Sequence, residues 1–229
     1  HPDEGAVTAT AEIIDGTAAA VRAGRRARTR RRTVAVAALV ILLIGLSIAM
    51  LTLGNTVYPL GDVIAVMLGY DVPGASFTVG TLRIPRTLTG VLAGVAFGVA
   101  GVTFQTMLRN PLASPDVIGI TSGASAAAIL SLIVLGWGSG ATMTLALLAG
   151  VGTAVVIYIA ARGGTSTGGR LILIGIGIGA MLDAVVAYLL VRAQVYDVAV
   201  AARWLAGSLN GARMEDVPPL AVAVFVLVP

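Results

Sequence analysis

From Val34 to Leu53 the chain runs for twenty residues without a charge. As a helix this stretch would rise about 30 Å, the thickness of a bilayer's hydrocarbon core. Similar apolar runs follow at Thr87–Leu108, Pro115–Leu135, Thr142–Ala161 and Leu171–Val191, and Val217 opens a sixth that reaches Pro229. Composition agrees, with 57% hydrophobic and 11% charged residues and a mean hydropathy of +0.96. A soluble domain carries about 25% charged residues. The expectation is an all-α, polytopic membrane helix bundle with about six spans.

Several function classes fall away on residue counts. All fifteen basic residues are Arg, so the lysine-dependent phosphate loop G-x-x-x-x-G-K-[ST] cannot be built and ATP is not hydrolysed by that route. The sole His is His1 and there is no Cys. A nucleophile therefore has no credible imidazole base, and thiolate metal sites are excluded. No metal site, cofactor or enzymatic activity is expected. A pI near 10.1 could point to nucleic acid. Seven of the fifteen Arg, however, lie between Arg22 and Arg32, directly before the first apolar run. That is the pattern of a cytoplasmic flank, and no nucleic-acid partner is expected.

Residues 1–33 are expected to form a disordered, basic cytoplasmic tail, and 34–229 the transmembrane domain. With that tail inside, Arg109, Arg162 and Arg170 also face the cytoplasm, while Arg83, Arg86, Arg192, Arg203 and Arg213 face outward. In the long connection from Asn55 to Thr81, Val63–Leu68 could form a short helix. Gly136–Gly140 makes a turn, with Trp137 as an interfacial anchor. Arg162–Arg170 is a polar loop, and Arg192–Asp216 a polar outer segment. The last apolar run stops after thirteen residues, about 20 Å of helix and short of a full span. The chain is therefore expected to be truncated at its C-terminus.

The most informative stretch is Leu82 to Leu130. Gly90, Gly94 and Gly98 recur every four residues on one helix face, where a second backbone could approach closely. Arg109-Asn110-Pro111 ends that helix, because proline lacks an N–H and disfavours a helical residue before it. Ser114 then reads as an N-cap, with Pro115 at the first helical position and Asp116 near the positive helix end. Arg83-Ile84-Pro85-Arg86, Gly94, Gly101, Gln105, Arg109-Asn110-Pro111-Leu112-Ala113, Pro115, Gly119, Gly123-Ala124 and the later Trp204-Leu205-Ala206-Gly207-Ser208-Leu209 closely resemble the permease subunits of FecCD-type ABC importers. That family moves iron–siderophores, haem or cobalamin. The resemblance implies ten spans in the whole protein and a location in the cell membrane with a cytoplasmic N-terminus. The partners it implies are a second permease subunit, two ATPase subunits and an extracytoplasmic binding protein.

Arg83 and Arg86 are, by that resemblance, candidates to meet acidic residues of the binding protein; on their own they could equally anchor a helix end at headgroups. Gly90, Gly94, Gly98, Gly101, Gly119 and Gly123 are expected as helix-packing positions. Gly175, Gly177 and Gly179 lie in Gly175-Ile176-Gly177-Ile178-Gly179-Ala180, which formally matches the dinucleotide pattern G-x-G-x-x-A, but inside an apolar run with no preceding strand that reading fails. They are candidates to line the pathway instead. Asp183 is a carboxylate well inside a span, either a hydrogen-bonded acid facing the bundle or a water-filled cavity, or a proton or cation site. It leaves open a rival reading, an ion-coupled secondary transporter. Gln105 is polar glue between helices or a substrate contact. Trp204 is an interfacial anchor or part of an outer gate. Arg109, Asn110, Pro111 and Pro115 form an inner turn.

Overall fold

A computed structural model describes residues 3–162 and 167–227. Among these the regular structure is entirely helical. Among the described residues four helices are long and apolar enough to cross a membrane, within Gly24–Thr52, Ser76–Leu108, Ser139–Ala161 and Gly169–Arg192. The chain divides into two units, one ending at Thr87 and the other beginning at Leu88.

In the first unit, α1 (Asp3–Thr52) is one helix of 50 residues. Helix already begins at Asp3, within the segment expected as a tail. The physical reason lies in the composition. Beyond Pro2 the segment has no proline and is rich in alanine and arginine, both strong helix formers. It also extends a helix that the apolar run has already nucleated. After α1 the chain turns through Tyr58, whose N–H donates to the Thr52 carbonyl at 3.0 Å, and forms the short α2 (Leu60–Met67). Val63 of α2 is buried with Ala75 and Val79, against Leu51, Tyr58, Val66, Val72 and Ile84.

Ser76–Arg83 winds as a wide π-helix that runs straight into α3 (Ile84–Leu108). Pro85 explains the widening. It has no N–H for the Thr81 carbonyl, and its ring would crowd that carbonyl in a normal α-turn. Helix therefore starts about ten residues earlier than the expected Thr87.

In the second unit the third apolar run departs from expectation. Pro115 holds the cap position of a short 3-10 turn, Asp116–Ile118, without any side-chain cap. Ser114 is thus not the N-cap. Gly119 then adopts φ 80°, and α4 (Ile120–Leu130) begins only after it. The left-handed residue breaks what was read as one span from Pro115. A π-helical turn at Ser131–Leu135 extends α4 and stops at Gly136, φ 61°. Next come α5 (Ser139–Ala161), α6 (Thr167–Arg192), α7 (Val195–Ala206) and α8 (Val217–Leu227). Gly163–Ser166 of the expected polar loop lie outside the described residues.

Within the expected polar segment Arg192–Asp216 the chain forms α7, which that expectation did not include. Its Ala201 is fully buried with Ala126, Ile129 and Val186. α4 packs against both α5 and α6. At the α4–α5 crossing, the fully buried Ser131 and Thr142 hydroxyls lie 2.9 Å apart. Such pairs couple by only about 0.6 kcal/mol inside membranes. Changing Ser131→Ala and Thr142→Val singly and together should give a coupling energy of that size in reversible unfolding. A value near zero would mean the two hydroxyls are not bonded.

Candidate translocation and docking site

Arg83 is held inside its own unit. One guanidinium nitrogen donates to the Leu51 carbonyl at 2.8 Å and another to the Thr56 carbonyl at 2.7 Å. Its Cζ stands 5.1 Å from the Tyr58 ring centroid. Leu51 belongs to the last turn of α1, whose carbonyls have no intrahelical donors. Arg83 is thus a clamp on the end of α1, which the docking expectation did not foresee. Arg86, half-buried, shares with it a cavity of about 390 Å³ lined also by Asn55 and Thr78.

Gly119, Gly175 and Gly179 form a backbone crossing. All three are buried. A methyl carbon at Gly175 would stand 2.6 Å from the Ile118 carbonyl oxygen, and one at Gly179 3.2 Å from the Gly119 Cα. Gly175 and Gly179 are one helical turn apart, so both meet the kinked junction. Within this chain both positions are closely packed. Gly177, on the other side of α6, is exposed and meets nothing within 4 Å. Gly123 abuts the Thr153 side chain of α5. Of the remaining expected packing glycines, Gly90 approaches Leu209, whereas Gly94, Gly98 and Gly101 face no neighbour among the described residues.

Asp183 is exposed. It lies on α6 about 13 Å before Arg192 and lines a cavity of about 250 Å³ with Asp116, Ser122 and the glycine crossing. Among the described residues no hydrogen bond or ion pair engages it. Gln105 is likewise exposed on α3. Trp204, half-buried on α7, walls a cavity of about 560 Å³ with Thr89, Ser139, Ser208 and Arg213. Thr89 was not anticipated. Its hydroxyl is buried without a partner among the described residues, and nothing in T-L-T-G signals this. Among the described residues, Asp183 and Trp204 line separate cavities.

The turn after α3 is built as its residues suggested. Arg109 adopts φ 49°, the left-handed position that usually ends a helix. The Asn110 N–H donates to the Gln105 carbonyl at 3.0 Å. The Asn110 side-chain oxygen then accepts from the Leu112 N–H at 2.9 Å, an Asx turn around Pro111.

The profile of the FecCD transport family matches residues 39–229. The chain belongs to this family. FecCD relatives include the ferric enterobactin transport system permease protein FepG of Escherichia coli, 36% identical over 72% of this chain and 50% of its own length. The achromobactin transport system permease protein CbrC of Dickeya dadantii is 36% identical over 82% of this chain and 55% of its own. The cobalamin import system permease protein BtuC of Halobacterium salinarum is 34% identical over 81% and 53%. This FecCD chain thus spans about half the length of these relatives. A solved structure described as an inward-facing metal-chelate type ABC transporter superposes with a TM-score of 0.71 at 24% identity, covering 82% of this chain and 58% of that one. That likeness establishes the fold. Family and helices together make this a multi-pass membrane protein of a transport family.

Proposed function

We propose that the chain is the permease subunit of a binding-protein-dependent ABC importer for an iron–siderophore, with haem or cobalamin as the next candidates. Family membership over residues 39–229 carries the reading, and the names of the relatives, which transport ferric enterobactin, achromobactin and cobalamin, support the cargo class. In this reading a second permease subunit completes the path, two ATPase subunits drive it and a binding protein delivers cargo. The N-terminus is cytoplasmic. Nucleotide acts by its differential affinity for inward- and outward-facing states.

Asp183 supports a path on its side of α6. An exposed carboxylate far from the helix ends is costly against acyl chains, so it faces water or a second subunit. Gln105, exposed on α3, is assigned to the same path, and Trp204 to its outer gate. Arg86 is retained as the docking arginine of the pair. Arg86→Glu should weaken binding-protein affinity and uptake while the protein still reaches the membrane, and unchanged uptake would discard that role.

The rival, ion coupling through Asp183, is decided by energetics. In proteoliposomes holding the full-length subunit with its ATPase and binding protein, uptake should require ATP and ignore a proton ionophore. Asp183→Asn should leave both features in place. Uptake that collapses with the ionophore in the parent, and loses that sensitivity in Asp183→Asn, would overturn the importer reading.

A further inference from the structure

Arg25, Arg26, Arg28, Arg30, Arg31 and Arg32 sit on α1 directly before its uncharged run. All six are exposed, as is every residue from Arg25 to Leu46. Helix is continuous through both segments, so the arrangement of the arginines follows from helical geometry. At about 100° per residue, no arc of the circumference wider than roughly 100° lacks a guanidinium, and the six rise over about 10 Å. The nearest acidic residues along the chain are Asp15 and Asp62. Among the described residues no ion pair engages any of the six. Arg26 and Arg30, like Arg28 and Arg32, are four apart, a spacing at which like charges repel and weaken a helix.

We propose that this collar binds anionic phospholipid headgroups and orders a shell of them around α1 at the membrane surface. The inference rests on the reading that α1 crosses the bilayer. Distribution favours lipid over a protein partner. A docked protein meets one side of a helix, whereas a headgroup layer surrounds it, and so do these cations. The level also fits, because the collar begins where the apolar run ends and so falls in the interfacial zone. Guanidinium pairs with phosphate oxygens through two parallel hydrogen bonds, and each juxtamembrane cation adds to attraction for an anionic leaflet. Phosphates seated between the arginines would also relieve their mutual repulsion.

The chain has no cysteine, so a single one can carry a reporter. The test uses the full chain with Ala27→Cys bearing a fluorophore, in nanodiscs containing quencher-tagged phosphatidylglycerol or phosphatidylcholine. Phosphatidylglycerol should be enriched at the label roughly fivefold at low salt, falling towards parity at about 0.5 M salt. Arg25→Gln, with the same change at the other five positions, should abolish the preference; lysine at all six should retain it. Parity in the parent, or a preference surviving in the glutamine variant, would overturn the proposal. Loss of the preference in the lysine variant would still support phosphate binding, through the two-pronged pairing that only guanidinium offers. Separately, an Ile41→Cys variant that reacts with a water-soluble maleimide would show that α1 does not span, and the underlying reading would fail first.

Discussion

Gly175→Ala is expected to destabilise the folded protein by roughly 3 kcal/mol, the upper part of the range for overpacking a closed contact. The same replacement at Gly177, two residues along the same helix, should be neutral or slightly stabilising. At Gly175 the added carbon meets the Ile118 carbonyl oxygen, Cα and carbonyl carbon at 2.6 to 3.0 Å. All three are backbone atoms, so no side chain can rotate out of the way. At Gly177 there is nothing within 4 Å, and alanine gains about 0.8–1 kcal/mol of helix propensity over glycine. Gly119→Ala should be at least as damaging as Gly175→Ala. Its carbon would stand 2.7 Å from the Gly175 carbonyl oxygen, and a left-handed backbone adds about 1–2 kcal/mol for a residue with a Cβ. The measurement is the fraction of full-length protein that stays monodisperse in detergent after graded heating. A Gly175→Ala variant that survives like the parent, or a Gly177→Ala variant that fails with it, would sink the assignment of this crossing.

Asp183 shows a related distinction on the same helix. Gly175 and Gly179 point α6 at the kinked junction, while Asp183 lies beside that contact and opens onto the small cavity. Sequence alone could flag the carboxylate as costly in a membrane. It could not say which side of α6 is covered, because α6 is apolar nearly all round and lacks a strong periodic stripe. That absence is general in a chain of this kind. Lipid and protein neighbours are both apolar, so hydropathy marks the spans and leaves their packed faces unmarked. The spans at Ser139–Ala161 and Thr167–Arg192 were legible within a few residues of their ends for this reason.

What escaped the sequence depended on contacts between segments far apart. α7 looked polar because Asp197 and Arg203 sit among its alanines, yet Ala201 is a core residue. The break at Gly119 was hidden because glycine also suits tight packing, and here it does both. The turn after α3 was readable because its chemistry is local. Asn110 and Pro111 act on their own neighbours, and no distant segment is needed to interpret them.

The second large effect concerns Arg83, where the structure and the family resemblance point to different tests. Arg83→Ala should cost about 3 kcal/mol, since it removes two charge-assisted hydrogen bonds from a half-buried side chain, each worth roughly 1.5 kcal/mol at the low end of the net range for charged groups. The Leu51 and Thr56 carbonyls would be left without this donor. Arg83→Lys should recover less than half of that, because one ammonium cannot reproduce the planar fork that spans two carbonyls. Arg83→Glu should be the most severe, placing a carboxylate against carbonyl oxygens. Gly54 tightens the constraint, since a methyl carbon there would lie 2.5 Å from a terminal nitrogen of Arg83, so Gly54→Ala should displace the clamp and mimic part of the loss. The decisive reading is the melting of full-length protein in detergent with no binding protein present. A residue whose work is docking would melt like the parent and lose only affinity, whereas a clamp lowers the melting point whether or not a partner is there. Equal melting of Arg83→Ala and parent would return Arg83 to the docking surface. A drop confined to Arg83, with Arg86→Glu affecting only affinity, would divide the pair into one arginine that holds the end of α1 and one that faces a partner.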